Sequence, residues 1–480
     1  MEWINSQKNI VMQNLKTKSK DQGSSENGKV TRILGNFVVD LTYRKIPKDV
    51  IEFTKLCILD LFGAAFAAIG FPISNAAGGF LDKAFGRGKV TRWDSGDKVS
   101  ILGATWVNSV LGSAIDIDDG HRLAIGHPGS SIIPAALALS EQEQLDGKRL
   151  LEAIVAGYEV GIRVSISRNF HQVENVATGT WGGYGAAVAA SKLLFDSAPM
   201  IENTIGLVSM YSPRLPGYFP GGRGMVKEGI SWAAVSGLSA ALLTCSGFKG
   251  PQNVIDHLAF YHPQKILQGL GEDFFILKTY FKKYPCCRWI HPIIEGCLSL
   301  MEDNYFQISQ IQKIQIQTFS RAFSLPNRNS PESLEDAQFS IPFCTVLALL
   351  KKEIGFRHIS IEDLYNPEVI RLSNKVVIEH HPDFDKLFPE KIVSKIKMET
   401  SKGHFEKVVS SVKGDLDDPF SEADLVEKYL GYAHPVLGEK NALILMELIK
   451  NLENIPISDV ITVIGSRSTG NSVLANFKVR

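Results

Sequence analysis

No charge of either sign predominates, since 51 Lys and Arg face 51 Asp and Glu across 480 residues. That balance removes the basic footprint that nucleic acid or an anionic membrane surface requires, so any anion site must be local. Cysteine is scarce. The six thiols, Cys57, Cys245, Cys286, Cys287, Cys297 and Cys344, have no C-x-x-C spacing and sit mostly in apolar context, which argues for reduced thiols rather than a disulfide framework. No apolar run reaches about 18 residues without a polar interruption, and the N-terminal residues hold no continuous hydrophobic stretch, which predicts neither a membrane span nor an export signal. The expectation is a soluble, cytoplasmic protein. With 44% hydrophobic and 21% charged residues, the chain is globular and long enough for two domains, or for one large domain with an insertion.

What is present is concentrated in one stretch. From Asp116 to Pro134 the chain reads Asp-Ile-Asp-Asp-Gly-His-Arg-Leu-Ala-Ile-Gly-His-Pro-Gly-Ser-Ser-Ile-Ile-Pro, with three carboxylates, two histidines and one arginine in twelve positions. Ser130 or Ser131 before the apolar run Ile132 to Leu139 predicts a helix N-terminus, with Pro134 in the first turn, where a missing N–H costs little. Free N–H groups there suit a carboxylate or phosphate, and the acidic, His-bearing segment in front brings acid–base groups to the same place. A solvated loop with an ordinary serine cap explains the same residues without a site.

Asp116-x-Asp-Asp-Gly-His, Gly126-His-Pro-Gly and Pro134-Ala-Ala-Leu-Ala-Leu resemble the signature of the MmgE/PrpD family. Its members include 2-methylcitrate dehydratase, cis-aconitate decarboxylase and an iminodisuccinate epimerase. Gly157-Tyr-Glu, Thr178-Gly-Thr-Trp-Gly, Tyr284-Pro-Cys-Cys-Arg-Trp-Ile-His-Pro and Ala337-Gln-Phe-Ser-Ile-Pro-Phe extend the likeness over residues 31–455. There are two departures. Family members carry Phe-His just before the Thr-Gly-Thr-Trp-Gly element, whereas Gln172 to Ala177 separate Phe170-His171 from it here, and Val176 stands at the ungapped position. The lysine of the decarboxylases falls at Val235 in this chain, which argues against a decarboxylase of that kind.

The resemblance implies a mainly α fold, in which a large all-helical domain built from N- and C-terminal segments carries an inserted, smaller α+β lid domain. The expected division is a mobile arm over 1–30, a helical part over 31–272, an α+β part over 273–413, and C-terminal helices over 414–480 that return to the first domain. Apolar spacing predicts helices from Pro47 to Gly70, within Ile101 to Ile115, and from Leu150 to Ser167. Alternation predicts strands at Ile311 to Thr318, Val376 to Glu379, Ile392 to Met398 and Phe405 to Val412. Asn108 reads as a satisfied core amide or as a site residue. Val460 to Arg480 reads as polar and irregular.

Family reactions share the removal of an acidic proton next to a carboxylate or imine, followed by loss of hydroxide, loss of carbon dioxide or reprotonation. The resemblance implies that Arg122, Arg288, His127 and the helix start at Ser130 bind substrate carboxylates, with Asp116 and Asp119 beside them. His121, Tyr158, Lys227 and His291 are the candidates for proton transfer. Asp116, Asp118 and Asp119 are expected mainly to orient His121 and Arg122, since bare carboxylates repel a polyanion. Plain readings remain open for two of them: Tyr158 as a core phenol, and Lys227 as a solvated lysine in a helix's first turn. The expected activity is that of a cofactor-independent hydro-lyase acting on a small di- or tricarboxylate, like 2-methylcitrate dehydratase. Asp118-Asp-Gly-His-Arg, where dehydratases have Asn-Asp-Thr or Asp-Asp-Thr, makes an epimerase of an iminodisuccinate-like diacid the alternative. Two other classes remain: a silent polycarboxylate binder, and a metal-dependent hydrolase using Asp118, Asp119, His121 and His127. The spacing of that quartet fits no standard zinc pattern, so no metal is expected. Neither a nucleic-acid nor a membrane partner is expected, and the apolar helices and the family suggest a homodimer.

Overall fold

The computed structural model describes residues 30–169, 177–213, 227–352 and 359–466. The expected arm, His171, Val176 and nearly all of the Pro213 to Gly224 loop lie outside the described residues. Helix α1 (Lys48–Ala67) starts after Pro47, and every residue from Cys57 to Phe66 is buried, so neighbours enclose its second half. A short hairpin, β1 (Arg87–Thr91) with β2 (Lys98–Val99), precedes α2 (Ile101–Ser113). Asn108 of α2 accepts from Trp93 N–H and donates to Thr91 O, so it is a satisfied core amide.

Next come β3 (Gly120–His121), α3 (Pro128–Gln142), α4 (Gly147–Ser167), α5 (Gly182–Leu194) and α6 (Ile230–Cys245). Helix α5 packs on α3, α4 and α6. Small residues make that approach possible: a Cβ on Gly157 of α4 would lie 2.8 Å from Gly185 O of α5. The glycine-rich run around Gly182 to Gly185 therefore serves helix packing.

Helix α3 departs from expectation. It begins at Pro128 with His127 as its N-cap, so Pro134 sits inside the helix rather than in its first turn. A proline there leaves the Ser130 carbonyl without its donor four residues on. The Ser109 hydroxyl of α2 donates to that oxygen at 2.6 Å and makes the bend tolerable.

Strand β4 (Thr279–Tyr280) pairs with β3, which ties the central stretch to a segment some 160 positions away, with Gly120 opposite Tyr280. Beyond it, α7 (His291–Asp303) opens at a proline-bearing first turn and leads into β5 (Ile311–Thr318). Helix α8 (Ile341–Lys351) then precedes β6 (Val376–His380), β7 (Ser394–Thr400) and β8 (Gly403–Val409). These four strands form one sheet in the order β6-β5-β7-β8, parallel only between β5 and β6. In β7, buried and partly exposed residues alternate, the period expected when one face is covered. Helix α7 supplies the cover on β7 and β8.

Helices α9 (Glu422–Leu437) and α10 (Glu439–Lys450) follow, and α9 packs along α1. The chain beyond Val460 is not irregular throughout. Ile457–Gly465 forms α11, with Ile457, Val460, Ile461 and Ile464 buried on one face. The polar residues from Ser466 onward mask that face when the whole segment is averaged. Among the described residues, no single helix is long and apolar enough to cross a membrane.

Candidate active site

The turn after α2 places Asp116 in the left-handed region, at φ 53°. Its carboxylate meets three cations: Lys282 Nζ at 2.8 Å, Lys227 Nζ at 3.4 Å and His127 Nε2 at 3.5 Å. Asp118 faces the other imidazole nitrogen, His127 Nδ1, at 3.4 Å, and accepts the Ser130 hydroxyl. His127 Nδ1 is also 2.8 Å from Asp119 O. Asp119 turns away from this group. It accepts Gly129 N–H at 2.9 Å, at the start of α3, and the Tyr158 hydroxyl at 2.7 Å. The three carboxylates thus hold His127, two lysines and a helix start, and not His121 and Arg122 as the sequence suggested.

Burial and charge compete at each group. For Asp116 burial favours the neutral acid, but Lys227 and Lys282 outweigh it and hold the carboxyl far below its usual range. Burial also opposes charge on His127, yet Asp118 and Asp116 raise it to about 9, so it is an imidazolium at neutral pH. Asp119 has no such cation, and burial, with the charge of Asp118, lifts it to about 7. Burial drives His121 the other way, to about 3, with Lys278 and Arg122 adding repulsion. Its Nδ1 accepts Ala124 N–H at 3.2 Å, which assigns the ring hydrogen to Nε2.

A second charged group lies across the same cavity. Arg122 pairs with Asp415 at 2.8 Å and donates to Glu390 O, while Arg288 pairs with the other oxygen of Asp415. Arg122 Nε and Arg288 Nη1 are buried with no hydrogen-bond partner among the described residues. The cavity between the groups measures about 60 Å³, and Asp116, His121, Arg122, His127, Glu228 and Arg288 line it, under a roof of Phe388, Pro389 and Ile392. That is enough to hold water and far below the space a dinucleotide needs.

The structure separates the residues singled out from sequence. Asp116, His121, Arg122, His127 and Arg288 line the cavity, whereas Asp119, Ser130, Tyr158, Lys227 and His291 are not among its lining residues. His291 Nε2 is 3.2 Å from Cys286 O, and burial and Arg288 keep the ring neutral. Lys227 is not in a helix's first turn. It precedes α6 in a turn whose three residues, Lys227, Glu228 and Gly229, all have positive φ. Its ammonium donates to Gln338 Oε1 at 2.8 Å and lies over the Phe339 ring. Val235, by contrast, packs in an apolar cluster with Trp106, Val107 and Ala138. It is not among the residues that line the cavity. Sequence reasoning also missed Lys282, fully buried beside Asp116, and Asp415. The neighbouring Tyr-Pro-Cys-Cys-Arg motif was the only signal for Lys282.

Asp116, Asp118 and His127 bring one ligand atom each within 4.8 Å of one another. The set suits a metal poorly, because Lys282 and Lys227 hold the Asp116 oxygens and an imidazolium is no ligand. What the arrangement can do is hold anions and give up protons.

Residues 32–261 match the MmgE/PrpD N-terminal domain, and residues 284–454 match the MmgE/PrpD C-terminal domain. The chain belongs to the MmgE/PrpD family. The cis-aconitate decarboxylase-like protein oryM of Aspergillus oryzae is 25% identical to it over 92% of this chain and 98% of its own length. The cis-aconitate decarboxylase of Aspergillus terreus is 24% identical, over 92% of this chain and 96% of that one. The Homo sapiens enzyme of the same name is also 24% identical, over 91% and 94%.

Two results are expected of this MmgE/PrpD site without knowledge of the substrate. A Cβ on Gly129 would lie 2.7 Å from the Tyr158 hydroxyl and 2.8 Å from Asp119 Oδ1. Gly129→Ala should therefore break the Asp119 cap and lower stability by about 1–3 kcal/mol in urea unfolding. The second result concerns pH. His127 is raised from 6.5 to about 9, so its contribution to stability is full below about 6.5 and lost as pH rises through about 9, a loss of order 3 kcal/mol. Asp119, also raised, acts in the same direction up to about 7. Unfolding free energy should fall between pH 6 and pH 9.5, and a flat profile would show that His127 is not held as an imidazolium.

Proposed function

We propose that this MmgE/PrpD chain is a cofactor-independent lyase acting on a small polycarboxylate, and that it protonates the carbanion left when carbon dioxide departs. The observation that carries the reading is the protonation state of the cavity wall. His127 stands as an imidazolium between Asp116 and Asp118, flanked by the ammonium groups of Lys227 and Lys282.

Cations on two sides suit two carboxylates. Arg122 and Arg288 line one side of the cavity and suit one of them, and the His127 side, backed by Lys227 and Lys282 through Asp116, suits the other. The carbon–carbon bond to the departing carboxylate breaks, carbon dioxide leaves, and its electron pair spreads over an adjacent unsaturated carboxylate that the cations stabilise. His127 then donates its proton to carbon and regains one from solvent. The names of the relatives, cis-aconitate decarboxylase, support this order of events.

Elimination of water, as in a hydro-lyase, is the second reading. It is favoured by His121, which keeps a neutral imidazole in the cavity wall at pH 7. That reaction needs a base for the α-proton, and the lone pair of His121 faces Ala124 N–H, so the ring would have to turn. Proton NMR in heavy water with cis-aconitate, citrate, 2-methylcitrate and iminodisuccinate separates the outcomes. Carbon dioxide with one deuterium at carbon is the expected result. An alkene formed with water would support the hydro-lyase, exchange at an α-carbon without net loss would support the epimerase, and binding without turnover would leave a silent polycarboxylate binder.

A further inference from the structure

The loop that carries Asp116, Asp118 and Asp119 is neither helix nor strand until β3, so its own hydrogen bonds do not set its path. Side chains hold its carbonyls instead, one from eight positions on and two from distant segments. Gln338 donates to Ala114 O at 3.2 Å, His127 holds Asp119 O, and Lys428 of α9 donates to Ile117 O at 2.7 Å. Lys428 differs from the other two because nothing in the site touches it directly. It is 1% exposed and lies 311 positions from Ile117, and its remaining contact is Asp60 Oδ1 of α1 at 2.6 Å.

A buried lysine is a costly way to hold one carbonyl, and a well-packed apolar side chain would serve plain stability as well or better. Its ammonium does something a methionine cannot. It fixes the peptide between Asp116, whose backbone is left-handed, and Asp118, and so sets the spacing of the two carboxylates that clasp His127. We infer that Lys428 is a positioning residue for catalysis, through which the C-terminal helix α9 aligns the Asp116–Asp118 clasp on His127. The inference rests on the proton-donor role proposed for His127.

The test uses the charge-neutral double variant Asp60→Asn with Lys428→Met, which removes one positive and one negative charge together. The net charge is then unchanged, which limits the direct electrostatic effect on His127. The titration of His127 is followed by NMR of the imidazole without substrate, and kinetics are measured on the same protein. The expected result is a downward shift of about one unit in the His127 titration, with kcat lowered about 10- to 100-fold and KM nearly unchanged. Lys428→Arg, which keeps charge and donors, should recover most of the loss and guards against a double variant that does not fold. A folded double variant with the wild-type His127 titration and kcat within twofold would overturn the inference. The titration needs no turnover, so a wrong assignment of the reaction would show as silent kinetics beside an intact shift.

Discussion

Lys282→Met is expected to lower kcat/KM by about 10³, the scale of losing a preorganised charge from a water-excluded site. Lys282 has no solvent exposure, and its ammonium lies 2.8 Å from Asp116. Burial opposes that charge, but Asp116 and Asp118 more than compensate and keep the lysine protonated. Removing it leaves Asp116 with the more distant Lys227 and His127, and breaking a buried pair in this way costs roughly 3–5 kcal/mol of stability. Thermal melts of Lys282→Met alone would confuse the two effects. In the double variant with Asp116→Asn, stability should return while turnover stays low, because Lys282 and Asp116 act together in setting the charge around His127. Turnover restored along with stability would reduce Lys282 to a structural role.

The second large effect belongs to His127. His127→Gln should cut kcat by about 10²–10⁴, the usual range for removing a general acid, and should remove the pH dependence near 9. Substrate affinity should change less, since Arg122 and Arg288 remain in the cavity wall. The glutamine keeps a side-chain donor for Asp119 O, and the helix start keeps its Asp119 cap, so the variant should fold. A kcat within threefold of wild type would remove His127 from the proton transfer.

The helices and strands of this chain were legible because their periods are strong. The alternation of Ile311 to Thr318 and the helical spacing of the apolar residues from Lys48 to Ala67 each allow one structure. The Asp116 to Gly129 stretch was legible as a site because dense ionisable groups beside a core helix need partners. The partners themselves were not. Lys282, Asp415 and Lys428 come from segments 166 to 311 positions away, and the pairing of β3 with β4, the hydrogen bond from Phe281 N–H to Gly414 O and the packing of α9 on α1 bring them in. The start of α3 was misplaced because the serine pattern drew attention to Ser130 and Ser131, whereas His127 caps the helix and Ser109 repairs the bond lost at Pro134. The three consecutive left-handed residues at Lys227 leave no mark that residue type alone would reveal.

The most direct test of the proton-donor role of His127 is the pH dependence of kcat/KM for cis-aconitate between pH 6 and pH 10, followed by release of carbon dioxide. If the imidazolium is the acid, the rate stays level up to about pH 8 and falls above about 9, the value to which its two carboxylates raise it. A rate that climbs through that range would mean that the essential group acts in its deprotonated form, and would contradict the central claim.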